Sequence, residues 1–174
     1  NNKGKPTIAK FNNKDVFFIL DFTASMRVPD ISGETRLNIA IENIIDSLDS
    51  LNSSRIGLSI FSDMEYQLIP LTTDKEFFKQ SLLSLQQNVI PNGGADIVNA
   101  FEGLFLREKN NLDLIAVVVS DFENIGVNPK MVRKYEGITE ILAVGVGSTH
   151  GGKIPIVKRS KYQRNSYVKK NGKL

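Results

Sequence analysis

Cysteine and tryptophan are absent from the 174-residue chain, and histidine occurs once. Without cysteine there can be no disulfide, no thiolate metal site and no cysteine nucleophile. The single histidine, His150, lies in a Ser-Thr-His-Gly-Gly stretch that reads as an exposed loop, not as part of a catalytic triad. Long apolar runs are missing too. The longest, Leu114–Val119, falls far short of the roughly 20 residues a membrane-spanning helix needs. The polar stretch Asn1–Lys14 lacks an apolar signal-peptide core and is expected to be a flexible segment. Charge of one sign is nearly balanced by the other, and the net +3 is too small to point to nucleic acid. The excess is local: Lys158, Arg159, Lys161, Arg164, Lys169, Lys170 and Lys173 share a stretch without one acidic residue. That stretch reads as a solvated terminal segment or a lead-in to a membrane or another domain.

What is present is an ordinary globular composition, 41% hydrophobic and 24% charged, of a length that suits one core. Val16–Leu20 is a continuous apolar run with β-branched and aromatic members, the mark of a buried strand. Leu37, Ile41, Ile44, Ile45 and Leu48 recur at helical spacing. Arg55–Phe61 reads as a second strand, and Tyr66–Leu71 as an edge strand that tolerates Pro70. Thr73-Asp74 can cap a helix with Phe77, Phe78, Leu82 and Leu85 inward. After the loop Pro91-Asn92-Gly93-Gly94, Asp96 opens a helix with Ile97, Ala100, Phe101 and Leu104 inward. Leu112–Val119 and Thr139–Val146 read as two more buried strands, with a short helix opened by Asn128-Pro129 between them. Strands alternating with helices, and apolar on both faces, predict a parallel sheet covered on both sides.

In such a sheet, ligands gather beyond the carboxyl ends of the strands. Asp21-Phe22-Thr23-Ala24-Ser25 follows the first strand, and Ser120-Asp121 follows the strand ending at Val119. In an extended turn alternate residues point the same way, so Asp21, Thr23 and Ser25 can converge, with Asp121 joining from a neighbouring strand. The set is all oxygen, which suits Mg²⁺ or Mn²⁺. The charged residues Arg27, Asp30 and Glu34 in the following loop are expected to be solvated, or to meet a partner at the rim. Phe22, Met26 and Met64 lie near the same rim, as contact residues or as core.

Asp21-x-Thr23-x-Ser25 resembles the D-x-S-x-S signature of the metal-ion-dependent adhesion site of von Willebrand factor A domains. Ser120-Asp121 is similar to the later T-D-G element, with Phe122 in the glycine position. Further matches are Arg36-Leu37, Arg55-Ile56-Gly57-Leu58, Pro70-Leu71-Thr72-Thr73-Asp74, Gly145-Val146-Gly147, Gly151-Gly152-Lys153-Ile154-Pro155 and Lys170-Asn171-Gly172-Lys173. Together they resemble bacterial aerotolerance proteins of the BatA/BatB type. The resemblance implies a Rossmann-like α/β fold over residues 15–174, with a doubly wound, mainly parallel sheet, one antiparallel edge strand and helices on both faces. The last covering helix is absent or beyond Leu174. It implies a non-enzymatic interaction module in which Asp21, Thr23, Ser25 and Asp121 hold Mg²⁺ or Mn²⁺, with Asp96 and Ser120 as accessories. An Asp or Glu of a partner protein would complete the ion's shell. It further implies membrane anchoring by flanking segments with the domain facing the periplasm of a bacterium. The company implied is other von Willebrand factor A proteins and a MoxR-type AAA+ ATPase, in a stress-tolerance complex. One departure stands out: Ala95 occupies the position of the family's third metal element, a threonine, and brings no oxygen.

Two other readings compete. A domain whose metal site has decayed would serve purely through surface contacts, and Ala95 and Phe122 favour it. A haloacid dehalogenase-like phosphohydrolase would use Asp21 as nucleophile. It lacks the usual second aspartate, since Thr23 stands there, and no acidic pair follows the last strand. A dinucleotide fold is less favoured still, as no G-x-G-x-x-G opens the first helix.

Overall fold

The computed structural model describes residues 13–52, 54–85, 97–111, 113–123 and 138–152. Five strands form one sheet: β1 (Asp15–Asp21), β2 (Ile56–Phe61), β3 (Glu65–Thr72), β4 (Leu114–Ser120) and β5 (Ile138–Gly145). Their order is β3-β2-β1-β4-β5. All neighbours pair in parallel except β2 and β3, so the expected antiparallel edge strand is present.

Alternation along β1 decides what covers each face. Val16, Phe18 and Leu20 join α1 (Arg36–Ser47) and α2 (Lys75–Leu85) in one core, through Leu37, Ile41, Ile44, Phe78 and Leu82. Phe17 and Ile19 turn the other way, to Ala100, Phe101 and Leu104 of α3 (Ile97–Glu108). Phe17 stands opposite Gly57 across the β1–β2 register, and a Cβ at 57 would run into its ring, so glycine is required there. Both faces of β1 and β4 are therefore dry, which accounts for their unbroken apolar runs.

Helix ends follow local chemistry. Thr35 Oγ1 accepts from Asn38 N at 3.1 Å at the start of α1, and Asp74 Oδ1 accepts from Phe77 N at 2.9 Å at the start of α2.

Two expectations are corrected. Phe77 is 53% exposed while Phe78 is fully buried. Adjacent helical residues lie about 100° apart, so both cannot face the sheet. The strand expected over Thr139–Val146 to be buried is β5, which among the described residues is the last of the sheet, and Glu140 to Gly145 are exposed or half-buried. The expected helix at Asn128-Pro129 and the basic stretch from Lys158 lie outside the described residues.

Candidate metal centre

The chain leaves β1 for β2 on one side and returns as β4 on the other, so the strand order reverses at β1 and opens a crevice at the carboxyl ends of β1 and β4. Leu20 pairs with Val119, which sets Asp21 beside Ser120.

Asp21 is completely buried, and both its carboxylate oxygens are used. Oδ1 accepts from Thr23 N at 2.9 Å, and Oδ2 accepts from Ser120 Oγ at 2.5 Å. Burial pushes its pKa up, against the pull of those hydrogen bonds, and the nearby Asp121 charge pushes the same way. Ser120 Oγ in turn accepts from Phe122 N at 2.9 Å.

Thr23 is extended (φ −76°, ψ 168°), and a 3-10 turn over Ala24–Arg27 follows it. The turn is anchored by Met26, fully buried in the core, and by Phe22 N donating to Phe61 O at 2.8 Å. The extended turn expected to bring the three side chains together is not formed, because Ser25 lies inside the helical turn. Thr23 Oγ1 and Ser25 Oγ meet all the same, 3.0 Å apart and buried.

This spacing can be tested against an ion. Neighbouring oxygens in a Mg²⁺ octahedron with bonds of about 2.1 Å lie about 3.0 Å apart. The hydroxyl pair fits two adjacent corners, and the donor set is hard oxygen throughout. The cluster is built on hydroxyls: among the described residues no group of three or more His, Asp or Glu is arranged to hold a metal.

Asp121 departs from the expected arrangement. Its side chain is 2% exposed and faces Arg36, whose Nη1 donates to Oδ2 at 2.7 Å, while Oδ1 accepts from Glu123 N at 3.0 Å. Arg36 also donates from Nη1 to Glu123 Oε1 at 2.7 Å, and from Nε and Nη2 to the two oxygens of Asp30 at 2.8–3.2 Å. Asp30, expected to be solvated, is 5% exposed in its side chain. The Arg36 guanidinium beside it holds its carboxyl down at about 2. Ser148 Oγ adds a donor to Asp30 at 3.0 Å. Arg36, Asp30 and Ser148 thus form a rim network that sequence reasoning missed. The available signal was an arginine in the first turn of α1, where the helix dipole disfavours a cation.

Other candidates fall apart from the cluster. Glu34 is exposed and accepts from Asn38. Met64 is 57% exposed, whereas Phe22 and Met26 are core. His150 is exposed, with Thr149 Oγ1 at 3.3 Å from Nδ1. Ala95 and Asp96 lie outside the described residues. The nucleophile reading of Asp21 gains nothing, since the carboxylate is fully buried, with a hydrogen bond to each oxygen.

The family model of the von Willebrand factor type A domain matches residues 16–123. An uncharacterized protein of Borreliella burgdorferi is 26% identical over 162 residues, 88% of this chain. The chain spans 47% of that relative's length. BatB from Bacteroides thetaiotaomicron superposes with a TM-score of 0.70 at 22% identity, covering 89% of this chain and 80% of that one. An aerotolerance-related membrane protein of Bacteroides fragilis gives 0.70 at 23%, covering 89% and 81%. Manganese-loaded TRAP of Plasmodium vivax gives 0.56 at 16%, covering 79% and 60%.

Proposed function

The chain belongs to the von Willebrand factor type A domain family, whose members are interaction and adhesion modules, and from that premise we propose that it works as a metal-dependent protein-binding module. A divalent ion, Mg²⁺ or Mn²⁺, is held by Thr23 and Ser25, with Asp21 and Asp121 supporting it directly or through water. The bound ion supplies a positive charge at the rim that is only partly neutralised, and so attracts an Asp or Glu of a partner protein. Thr23 and Ser25 position the ion. Asp21 orients the Thr23 backbone and supplies negative charge behind it. The role proposed is binding without turnover, as the family's interaction modules perform.

The observation that carries the reading is the 3.0 Å separation of two buried hydroxyls at the carboxyl rim of the sheet. The manganese in the TRAP relative lends support to an ion of this class. Likeness to BatB and to the aerotolerance-related membrane protein supports a role in a membrane-associated stress-tolerance assembly. Membrane attachment would come from flanking segments, because no helix among the described residues is long and apolar enough to cross a membrane. The periplasmic orientation, other von Willebrand factor A proteins and an AAA+ ATPase as companions belong to the same proposal.

A second reading, an interaction module that works without an ion, is favoured by one observation: Asp121 is already engaged by Arg36 at 2.7 Å. Calorimetric titration with Mn²⁺ and Mg²⁺ of the wild type, Ser25→Ala and Thr23→Val separates the two. The metal-dependent reading expects saturable binding in the wild type, weakened by roughly 10- to 100-fold or lost in each variant, at least the range typical for disturbing a metal's surroundings. Silence in the wild type, alone and with a carboxylate-bearing peptide present, would leave the ion-free module.

A further inference from the structure

Arg36 is 1% exposed, so its charge is tolerable only if every donor finds an acceptor. The acceptors come from distant parts of the chain. Asp30 lies in the loop after the 3-10 turn, and Asp121 and Glu123 follow β4. Ser148, after β5, is tied in through Asp30. Gly147 packs directly on the guanidinium, since a Cβ there would sit 3.6 Å from Nε. One side chain therefore knots the loops that follow β1, β4 and β5, on the same rim as the Thr23–Ser25 pair.

Asp121 lies between the two systems: it follows Ser120, which bonds to Asp21, and its charge acts on the Asp21 carboxylate. Its Oδ2 faces Nη1 of Arg36, and its Oδ1 faces Glu123 N. We propose that Arg36 is an internal cation that competes with the divalent ion for Asp121, so that ion binding transfers Asp121 from guanidinium to ion and frees the loop after β4. This rests on the metal-dependent reading above. The exchange takes one acceptor from Nη1 and, from Glu123 N, the Oδ1 of Asp121, and that loss is the cost the ion must outweigh. Asp30 keeps Nε and Nη2, and Nη1 keeps Glu123, whose side chain is 41% exposed and free to adjust. Three carboxylates around one guanidinium leave the network negative, and Asp21 adds to that, so charge favours an arriving cation. The loop set free carries Phe122, 37% exposed, so ion occupancy would be read out as a change in the apolar surface beside the ion.

Mn²⁺ binding measured by electron paramagnetic resonance tests the competition in the wild type, Arg36→Gln, Arg36→Lys, Asp121→Asn and the Arg36→Gln/Asp121→Asn double variant. Arg36→Gln is expected to bind Mn²⁺ roughly tenfold or more tightly than the wild type. Arg36→Lys should fall between them, because an ammonium lacks the fork that spans Asp30 and Asp121 together. The gain should vanish when Asp121 is also asparagine. Equal or weaker binding in Arg36→Gln, or a gain that survives in the double variant, overturns the proposal. Should Arg36→Gln not fold, the Arg36→Lys affinity and the guanidinium N–H resonances of wild-type Arg36 decide. The proposal requires the Nη1 protons to shift as Mg²⁺ saturates, and unmoved resonances refute it. Wild-type binding that is unchanged in the variants sinks the competition alone, whereas no Mn²⁺ binding in any protein sinks the metal-dependent reading with it.

Discussion

Asp21→Asn should raise stability in the absence of divalent ions and abolish the response to them. The carboxylate is fully buried, and taking an ion of this size out of water carries an effective penalty of several kcal/mol. Its two hydrogen bonds offset part of that cost. Asparagine keeps one bond and reverses the other: Oδ1 still accepts from Thr23 N, while the amide nitrogen donates to Ser120 Oγ, whose own proton must turn to another acceptor. Each bond drops from charge-assisted to neutral, a loss of about 1 kcal/mol apiece. Removing several kcal/mol of desolvation against roughly 2 kcal/mol of weakened bonds leaves a net gain of about 1–2 kcal/mol. For a domain of this size that is roughly 3–6 °C in Tm. Thermal melts in EDTA and in millimolar Mg²⁺ check it. The variant should melt higher than the wild type in EDTA. In Mg²⁺ the wild type alone should rise, since only a protein that binds the ion gains stability from it. A variant that melts lower in EDTA by more than about 1 kcal/mol would refute the reasoning, and would make ionised Asp21 a structural anchor of the Thr23 turn.

Other outcomes follow from single contacts. Asp30 has its carboxyl lowered from 3.8 to about 2 chiefly by the Arg36 hydrogen bonds, so the pair's stabilisation is full above about pH 4 and fades as pH falls toward 2. The ceiling is about 2 kcal/mol, the lowering of the Asp30 carboxyl expressed as free energy. Urea melts of wild type and Asp30→Asn should therefore converge between pH 5 and pH 2.5, and a constant gap would contradict the assignment. Phe122 holds a left-handed backbone (φ 54°). Phe122→Gly should leave Tm within a few degrees, because relief of about 1 kcal/mol of strain offsets the chain entropy of glycine. A large drop would show that the ring is packed. Phe78→Ala should cost about 3–5 kcal/mol and Phe77→Ala no more than about 0.5 kcal/mol, by chemical denaturation, since only Phe78 is buried.

The features legible in the sequence are those whose cause is local. β1 and β4 announce themselves because a strand dry on both faces must be apolar at every position. The Thr23–Ser25 pair is legible in its residues though not in its geometry: the hydroxyls meet because extended Thr23 caps the 3-10 turn that holds Ser25. The reversal of strand order beside β1 then places them where ligands collect. Where the cause is not local, reading failed. β5 has the pattern of an inner strand but is the last of the sheet among the described residues, and position in a sheet is a property of topology rather than of the strand's own residues. Phe77 and Phe78 are alike in type, and only the phase of α2 against the sheet separates them.

Arg36 is the clearest case of that limit, because its partners Asp121 and Glu123 lie 85 and 87 residues away. No window of sequence contains that interaction, yet it decides how the rim behaves. The local motif supplies donors for an ion in a nearly fixed geometry. On the proposed competition, the non-local arginine decides whether Asp121, in the loop after β4, is available to join them. A site assembled from the local motif alone would bind its ion whenever the ion is present. A site whose carboxylate must first be taken from a buried guanidinium binds more weakly, and couples binding to movement of the loops that carry Asp121, Glu123 and Phe122. Affinity and switching at this rim are therefore opposed through one side chain, and changing Arg36 should move them in opposite directions.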